Sequence, residues 1–261
     1  MLTAKDVSYW YDSEENTLYK DVNLNFEAGQ LYGIIGSSGA GKTTLLTMLA
    51  GLDKPRKGEI LYEGTSLQKI GLTQYRNRYV SIVFQAYNLL PYMSALDNVL
   101  TAMAITHSER ENPSEFALEM LTKVGINPDM ARKNVQKLSG GQQQRVAIVR
   151  AMCCDAPVVV ADEPTGNLDD TNTREIIKLF QELAHEQQKC VILVTHEKEV
   201  AASCDVQYLL QHKTFEEVIL YPRKTVNLPL LWAEQALNRG QTSLVAILMW
   251  TLVKVAVCSY P

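Results

Sequence analysis

Eight consecutive residues, Gly36, Ser37, Ser38, Gly39, Ala40, Gly41, Lys42 and Thr43, match the pattern G-x-x-x-x-G-K-[ST] without a mismatch, and Thr44 follows. Each residue type suits one task in holding a chain of phosphates. Glycines let backbone N–H groups curl around phosphate oxygens with no Cβ in the way. A helix starting near Lys42 turns its positive dipole end toward the same anion. The Lys42 ammonium reaches β- and γ-phosphates as a point charge, and the Thr43 hydroxyl is suited to ligate Mg²⁺. A glycine turn leading into an ordinary helix is the competing explanation. The flanking patterns, an apolar strand before and a Leu/Met-rich helix after, weigh against it.

A phosphate cradle needs a second acidic site for the metal, and residues 158–163, Val-Val-Val-Ala-Asp-Glu, supply one. Asp162 holds the magnesium through its shell. Glu163, one residue on, projects to the other side of the strand and can orient or deprotonate a water.

A third segment narrows the family. Leu138, Ser139, Gly140, Gly141 and Gln142, continuing Gln-Gln-Arg-Val-Ala-Ile, resemble the LSGGQ signature of ABC-type ATPases. A Ser hydroxyl and two glycine amides opening a helix can grip a phosphate, as the first loop does; a plain serine–glycine helix cap is the other reading. Its position, twenty residues ahead of the acidic strand at Val158, is the one the family requires.

The resemblance covers residues 1 to about 211, and it assigns roles in order along the chain. Tyr11 sits where the family has the aromatic that stacks on adenine; an edge-strand tyrosine is the competing explanation. Gln85 matches the Q-loop glutamine that touches Mg²⁺ and senses the permease. Asp169, in Asn-Leu-Asp, looks like the D-loop aspartate, and His196 in Val-Thr-His looks like the switch histidine on the γ-phosphate. Glu163, His196 and Gln85 thus form the expected catalytic set, and Thr43, Gln85 and Asp162 the expected metal set.

Finer details resemble ATPases paired with FtsX-like permeases, a group of macrolide exporters, lipoprotein-release complexes and peptide exporters of Vex type. They are Val83-Phe-Gln-Ala-Tyr-Asn-Leu-Leu-Pro91 and Asp162-Glu-Pro-Thr-Gly-Asn-Leu-Asp169. The implied function is the ATP-hydrolysing subunit of an export or mechanical-transmission system for a peptide, lipoprotein or antimicrobial compound. It would work on the cytoplasmic face of the cell membrane with an FtsX-like permease and a second copy of itself, two ATP molecules sandwiched between the copies. A regulatory ATPase controlling cell-wall enzymes through an FtsX-like partner uses the same motifs.

The elements that must position these residues follow from hydrophobic periodicity. The first thirty residues alternate apolar and polar, Val22, Leu24 and Phe26 against Asn23, Asn25 and Glu27, as strands do. The runs 31–35, 58–62, 80–84, 158–161 and 190–194 read as further strands, several apolar enough to be buried on both faces. Residues 42–50 read as a helix ended by Gly51, and 171–187 as a long amphipathic helix. Between 88 and 137 helical patterns dominate (94–105 and 113–124), which reads as an insertion. The implied fold is α/β: a P-loop NTPase of ABC type with a RecA-like parallel-sheet core, an N-terminal antiparallel β subdomain and an inserted α-helical subdomain. The core is expected at 1–87 and 142–211, the helical subdomain at about 88–141, and a tail of unassigned role at 212–261.

Composition sets outer limits. With 46% apolar and 21% charged residues in 261, the chain is neither disordered nor polytopic. A net charge of −4 argues against a nucleic-acid partner, which calls for a basic surface. Five cysteines without a CxxC pair suggest reduced thiols rather than a disulfide framework or zinc site. The run before the signature, residues 134–137, lacks the Tyr-Pro common among relatives. The 243–258 stretch is mostly apolar but carries Lys254. It is shorter than the ~20 residues a span needs, and a central lysine costs ~2.5–3.5 kcal/mol on insertion. A packed helix or dimer contact is the expectation there, with an altered gene end as the alternative.

Overall fold

The computed structural model describes residues 1–37, 39–106, 108–166, 168–211 and 214–218. Ser38 and the 243–258 stretch lie outside the described residues, as does Cys258.

Among the described residues, ten strands build two sheets. The first is antiparallel, in the order β2-β1-β4-β5: β1 (Leu2–Trp10), β2 (Thr17–Phe26), β4 (Lys57–Tyr62) and β5 (Thr65–Ser66). Its inward residues, among them Leu2, Ala4, Leu24 and Phe26, are buried, while Asn23, Asn25 and Lys20 face outward. This is the period-two pattern of a sheet with one wet face.

The second sheet carries the site. Its order is β10-β9-β3-β8-β7-β6, formed by β3 (Leu31–Gly36), β6 (Val80–Val83), β7 (Val158–Asp162), β8 (Cys190–Val194), β9 (Val206–Gln211) and β10 (Thr214–Val218). All neighbours are parallel except the β9–β10 hairpin. β7 and β8 are buried at every position, because both faces of the sheet are covered. Val159, Ala161, Val191 and Leu193 pack into one apolar cluster with the helices, and Val158, Val160, Ile192 and Val194 into another with the antiparallel sheet. Two-sided burial explains why these strands read as continuous apolar runs.

Helix α1 (Lys42–Leu49) follows β3, and the short α2 (Leu67–Ile70) and α3 (Leu72–Arg78) lead into β6. Between β6 and β7 lie α4 (Ala95–Ile105), α5 (Pro113–Lys123), α6 (Pro128–Ala131) and α7 (Gly140–Met152). Helix α8 (Asp170–His185) precedes β8, and α9 (Lys198–Ala201) precedes β9. Several starts are written locally. Ser94 caps α4 in a reciprocal box with Asp97, and Pro113 opens α5 at a position where its missing N–H costs nothing.

The sheet runs past the expected core limit at 211. β10 pairs with β9 in register from Thr214 opposite Gln211 to Val218 opposite Gln207, and the Phe215 ring meets Tyr19 of β2 at 5.8 Å. The boundary at 211 therefore falls inside a hairpin. Cys153, Cys154, Cys190 and Cys204 are free thiols, all buried.

Candidate functional site

Parallel strands end on one edge of the sheet, and ligands bind α/β sheets outside those carboxyl ends. Here β3 ends at Gly36, β7 at Asp162 and β8 at Val194, two residues before His196. β8 lies between β3 and β7, with Val194 opposite both Ile34 and Asp162. Register alone thus gathers three sequence segments spread between Gly36 and His196.

The loop after β3 is shaped by glycine. Gly39 and Gly41 take φ of +78° and +103°. A Cβ on Gly41 would stand 2.5 Å from Leu18 Cδ2, so both backbone angle and space exclude any other residue. Lys42 is buried, and its ammonium donates to the carbonyls of Gly36 (2.9 Å) and Ser37 (3.0 Å), folding the loop around the cation. Ala40 closes the turn by donating its N–H to the Ser37 carbonyl at 3.2 Å.

Thr43, on the first turn of α1, donates its hydroxyl to Asp162 Oδ2 at 3.0 Å, with Oδ1 at 3.3 Å. Asp162 is buried, and burial raises its pKa above the ordinary carboxylate value; the Thr43 bond and the charge of Lys42 work in the opposite direction. Glu163 does not continue the alternation of the strand. Its φ is +47°, a left-handed turn that swings the carboxylate toward the cleft rather than to the other side. There Glu163 Oε1 meets His196 Nδ1 at 2.9 Å, and the His196 backbone N–H approaches Oε2 at 3.4 Å. The hydrogen bond to Glu163 raises the His196 pKa.

One open cleft of about 650 Å³ brings together Tyr11, Gly36, Ser37, Gly39, Gly41, Lys42, Thr43, Thr44, Gln85, Glu163 and His196. Tyr11 forms a wall with its ring exposed, and its hydroxyl bonds the Thr44 hydroxyl at 2.6 Å. Arg56 holds this wall from behind through the carbonyls of Trp10 (3.0 Å) and Tyr11 (3.4 Å).

Ser139, Gly140, Gly141 and Gln142 are not lining residues of the cleft. They open α7: Ser139 Oγ accepts the Gln142 N–H at 3.3 Å, and Gln142 Oε1 accepts the Ser139 N–H at 2.9 Å. This is a capping box. It engages one lone pair of the serine oxygen and leaves the hydroxyl proton able to donate. Asp169 likewise caps α8, accepting the Asn172 N–H at 2.9 Å, and that backbone bond holds its carboxyl below the ordinary value.

Sequence reading passed over Gln144 and Thr165. Gln144 donates to the Pro164 carbonyl, and the Thr165 hydroxyl donates to Glu197 at 2.9 Å, tying the turn after Glu163 to α7 and to the segment after His196. Both are buried polar residues, but nothing in the spacing of either marks a partner.

The family model described as ABC transporter matches residues 19–166. An ABC transporter ATP-binding protein of Bacillus subtilis, YclH, is 55% identical over 215 residues, covering 82% of this chain and 95% of that protein. The chain belongs to the ABC transporter ATP-binding family. As an ABC ATPase it binds and hydrolyses ATP as a transporter's ATP-binding subunit. The lipoprotein-releasing ATPase LolD of Syntrophotalea carbinolica is 41% identical over 187 residues, 70% of this ABC ATPase and 82% of LolD. Among solved structures, the dimeric ABC cassette MJ0796 superposes with a TM-score of 0.79 at 34% identity, over 85% of this chain and all of that one. Its post-hydrolysis dimer bound to ADP and Pi gives 0.78 at 33%.

Proposed function

We propose that this ABC ATPase works as an ATP-sandwiched homodimer that powers an FtsX-like permease, exporting or mechanically releasing a peptide, lipoprotein or antimicrobial compound. The observation that carries the reading is the convergence of Lys42, Thr43, Gln85, Glu163 and His196 on one cleft beside the capped start of a second glycine helix elsewhere on the chain.

The chemistry follows from the chain's own groups. Two of the three Lys42 donors are taken by loop carbonyls, so the third faces the phosphates with its position already set. Glu163 accepts a proton from the water that attacks the γ-phosphorus, and His196 holds the carboxylate and the departing phosphoryl group in place. Tyr11 offers its face to adenine, and its bond to Thr44 links that platform to the phosphate loop. Thr43, Asp162 and Gln85 present only oxygen donors, the set Mg²⁺ prefers. Among the described residues no group of three or more His, Cys, Asp or Glu forms a self-sufficient metal site, which suits a cation shared with the nucleotide. When bound, that ion neutralises phosphate charge.

A γ-phosphate held at one helix start still exposes oxygens to water. The start of α7 from a second copy, with Ser139, Gly140, Gly141 and Gln142, would cover them and make ATP part of the interface. The dimeric form of MJ0796 supports this arrangement. The permease reading is supported by the likeness to LolD proteins and by an apolar groove of about 400 Å³ beside the loop that follows Gln85, lined by Phe84, Leu90, Thr101 and Ile105. No helix among the described residues is long and apolar enough to cross a membrane, so attachment at the cytoplasmic face would run through that partner.

The test is sedimentation of Glu163→Gln with ATP, alone and with Ser139→Arg. Glu163→Gln should keep ATP binding, lose roughly 10²-fold in turnover and form ATP-dependent dimers that Ser139→Arg abolishes. Dimers that persist with Ser139→Arg, or form equally without nucleotide, place the interface elsewhere. Co-expression with an FtsX-like permease should yield a complex whose ATPase rate differs from that of the free subunit; failure to co-purify sinks the permease assignment alone.

A further inference from the structure

The segment between Gln85 and α4 holds an unusual backbone. Tyr87 and Asn88 both take left-handed angles, with φ of +60° and +49°. Asparagine tolerates that region; a bulky tyrosine does so only when its surroundings impose it. One side chain grips both carbonyls of this pair. Arg150, in the last turn of α7, donates Nη2–H to the Tyr87 carbonyl at 3.0 Å and Nη1–H to the Asn88 carbonyl at 2.5 Å. A guanidinium fork can hold two carbonyls at once because its donors are coplanar and fixed. The same loop meets the other end of α7, where the Tyr87 hydroxyl lies 3.5 Å from the place a Cβ on Gly140 would occupy. Further along, the buried Asn98 of α4 accepts the Leu90 N–H at 2.7 Å and donates to the Leu90 carbonyl at 3.2 Å.

We propose that Arg150 is a positioning residue for ATP hydrolysis: by gripping the Tyr87 and Asn88 carbonyls it fixes Gln85 relative to the helix that begins at Ser139. The inference rests on the reading of Gln85 given above. Arg150 touches neither nucleotide nor metal; it acts through the loop. Its guanidinium and Asn88 also line the groove assigned to the permease, so a segment seated there presses on the same latch. A charge at a helix C-terminus is stabilising in its own right, and the test must separate that role from the clamp.

The full chain is compared as wild type, Arg150→Met, Arg150→Lys, Arg150→Met with Asn88→Gly, and Gln85→Ala, by steady-state hydrolysis against ATP and against Mg²⁺. Misplacing Gln85 should lower kcat roughly 10-fold in Arg150→Met, with KM for ATP within about two-fold and a higher Mg²⁺ midpoint. Arg150→Lys keeps the helix-end charge but not the fork, so it should fall with Arg150→Met. Asn88→Gly, free to adopt the left-handed angle, should restore much of the lost kcat. Chymotrypsin should cut at Tyr87 faster once the clamp is gone. Lysine performing as arginine, KM rising in step with the fall in kcat, or no rescue by glycine would each overturn the proposal. Wild-type behaviour of Gln85→Ala would instead overturn the reading of Gln85. The loop digest then judges the clamp by itself, and unchanged protection in Arg150→Met refutes it.

Discussion

Replacing Thr43 by valine removes one oxygen and keeps the shape, which isolates the Thr43–Asp162 bond. That bond joins the helix after the phosphate loop to the end of β7, with the hydroxyl 3.0 Å from Oδ2 of a buried carboxylate. Hydrogen bonds to charged groups contribute ~1.5–3 kcal/mol when their partner is left unsatisfied. Thr43 itself is exposed, so water can reach part of the vacated position, and the lower half of that range, ~1.5–2 kcal/mol, is the expected loss. For a domain of this size that corresponds to a fall of roughly 3–8 °C in Tm.

The pH dependence has a definite sign. Burial raises the Asp162 pKa in the folded chain, so its ionisation weakens the fold as pH climbs through the carboxylate range. The Thr43 bond opposes that shift. Its loss should therefore cost most at neutral pH and shrink as Asp162 becomes protonated in acid. Urea unfolding of the nucleotide-free protein near pH 7 and near pH 4, in wild-type and Asp162→Asn backgrounds, measures both effects. The Thr43→Val penalty should at least halve once Asp162 is asparagine. Equal penalties in the two backgrounds, within ~0.5 kcal/mol, or a penalty that does not shrink in acid, would show that the hydroxyl is not supporting this carboxylate.

Lys42→Ala should weaken binding of a non-hydrolysable ATP analogue by roughly 10- to 100-fold, the loss of a charge-assisted bond; unchanged affinity in calorimetry would put the phosphates elsewhere. His196 should titrate above an ordinary histidine, because its bond to Glu163 favours the imidazolium. The pair is thus formed at low pH and lost as pH rises through the raised value. Glu163→Gln should bring the ring's NMR titration back toward the ordinary value, and no movement would mean the pair does not form in solution.

How much of this was legible in the sequence varies with what holds each element in place. β3, β7 and β8 were readable because burial on both faces leaves only apolar residues. α4 was readable because Ser94 and Asp97 write its start locally. The long helix begins at Asp170 rather than 171 because Asp169 serves as its cap. β10 gave no signal: Thr-Phe-Glu-Glu-Val is an edge strand whose register comes from its hairpin partner β9 and whose anchor, Tyr19, is distant in sequence. The short α2 and α3 were likewise unread, since a polar stretch broken at Gly71 is helical only in its tertiary setting. Within the site, residue types were legible from the motifs, but the bonds between them were not. Tyr11 to Thr44, Glu163 to His196 and Arg150 to Tyr87 all depend on where strand register places them.

The places where local rules failed have a common cause. Glu163, Tyr87 and Asn88 sit at left-handed angles that non-glycine residues avoid, and Asp162 is a carboxylate buried against its own solvation. Each is held by a partner from another element: His196, Arg150 or Thr43. Such arrangements weaken the empty protein and persist only because the surrounding sheet over-determines them. A nucleotide with its cation would relieve part of that cost, drawing Thr43 and Asp162 onto a shared charge and giving Lys42 an anion. Ligand stabilisation should therefore exceed what simple occupancy of a relaxed cleft would produce, and it should fall in Thr43→Val, which takes away one of the groups drawn onto that charge.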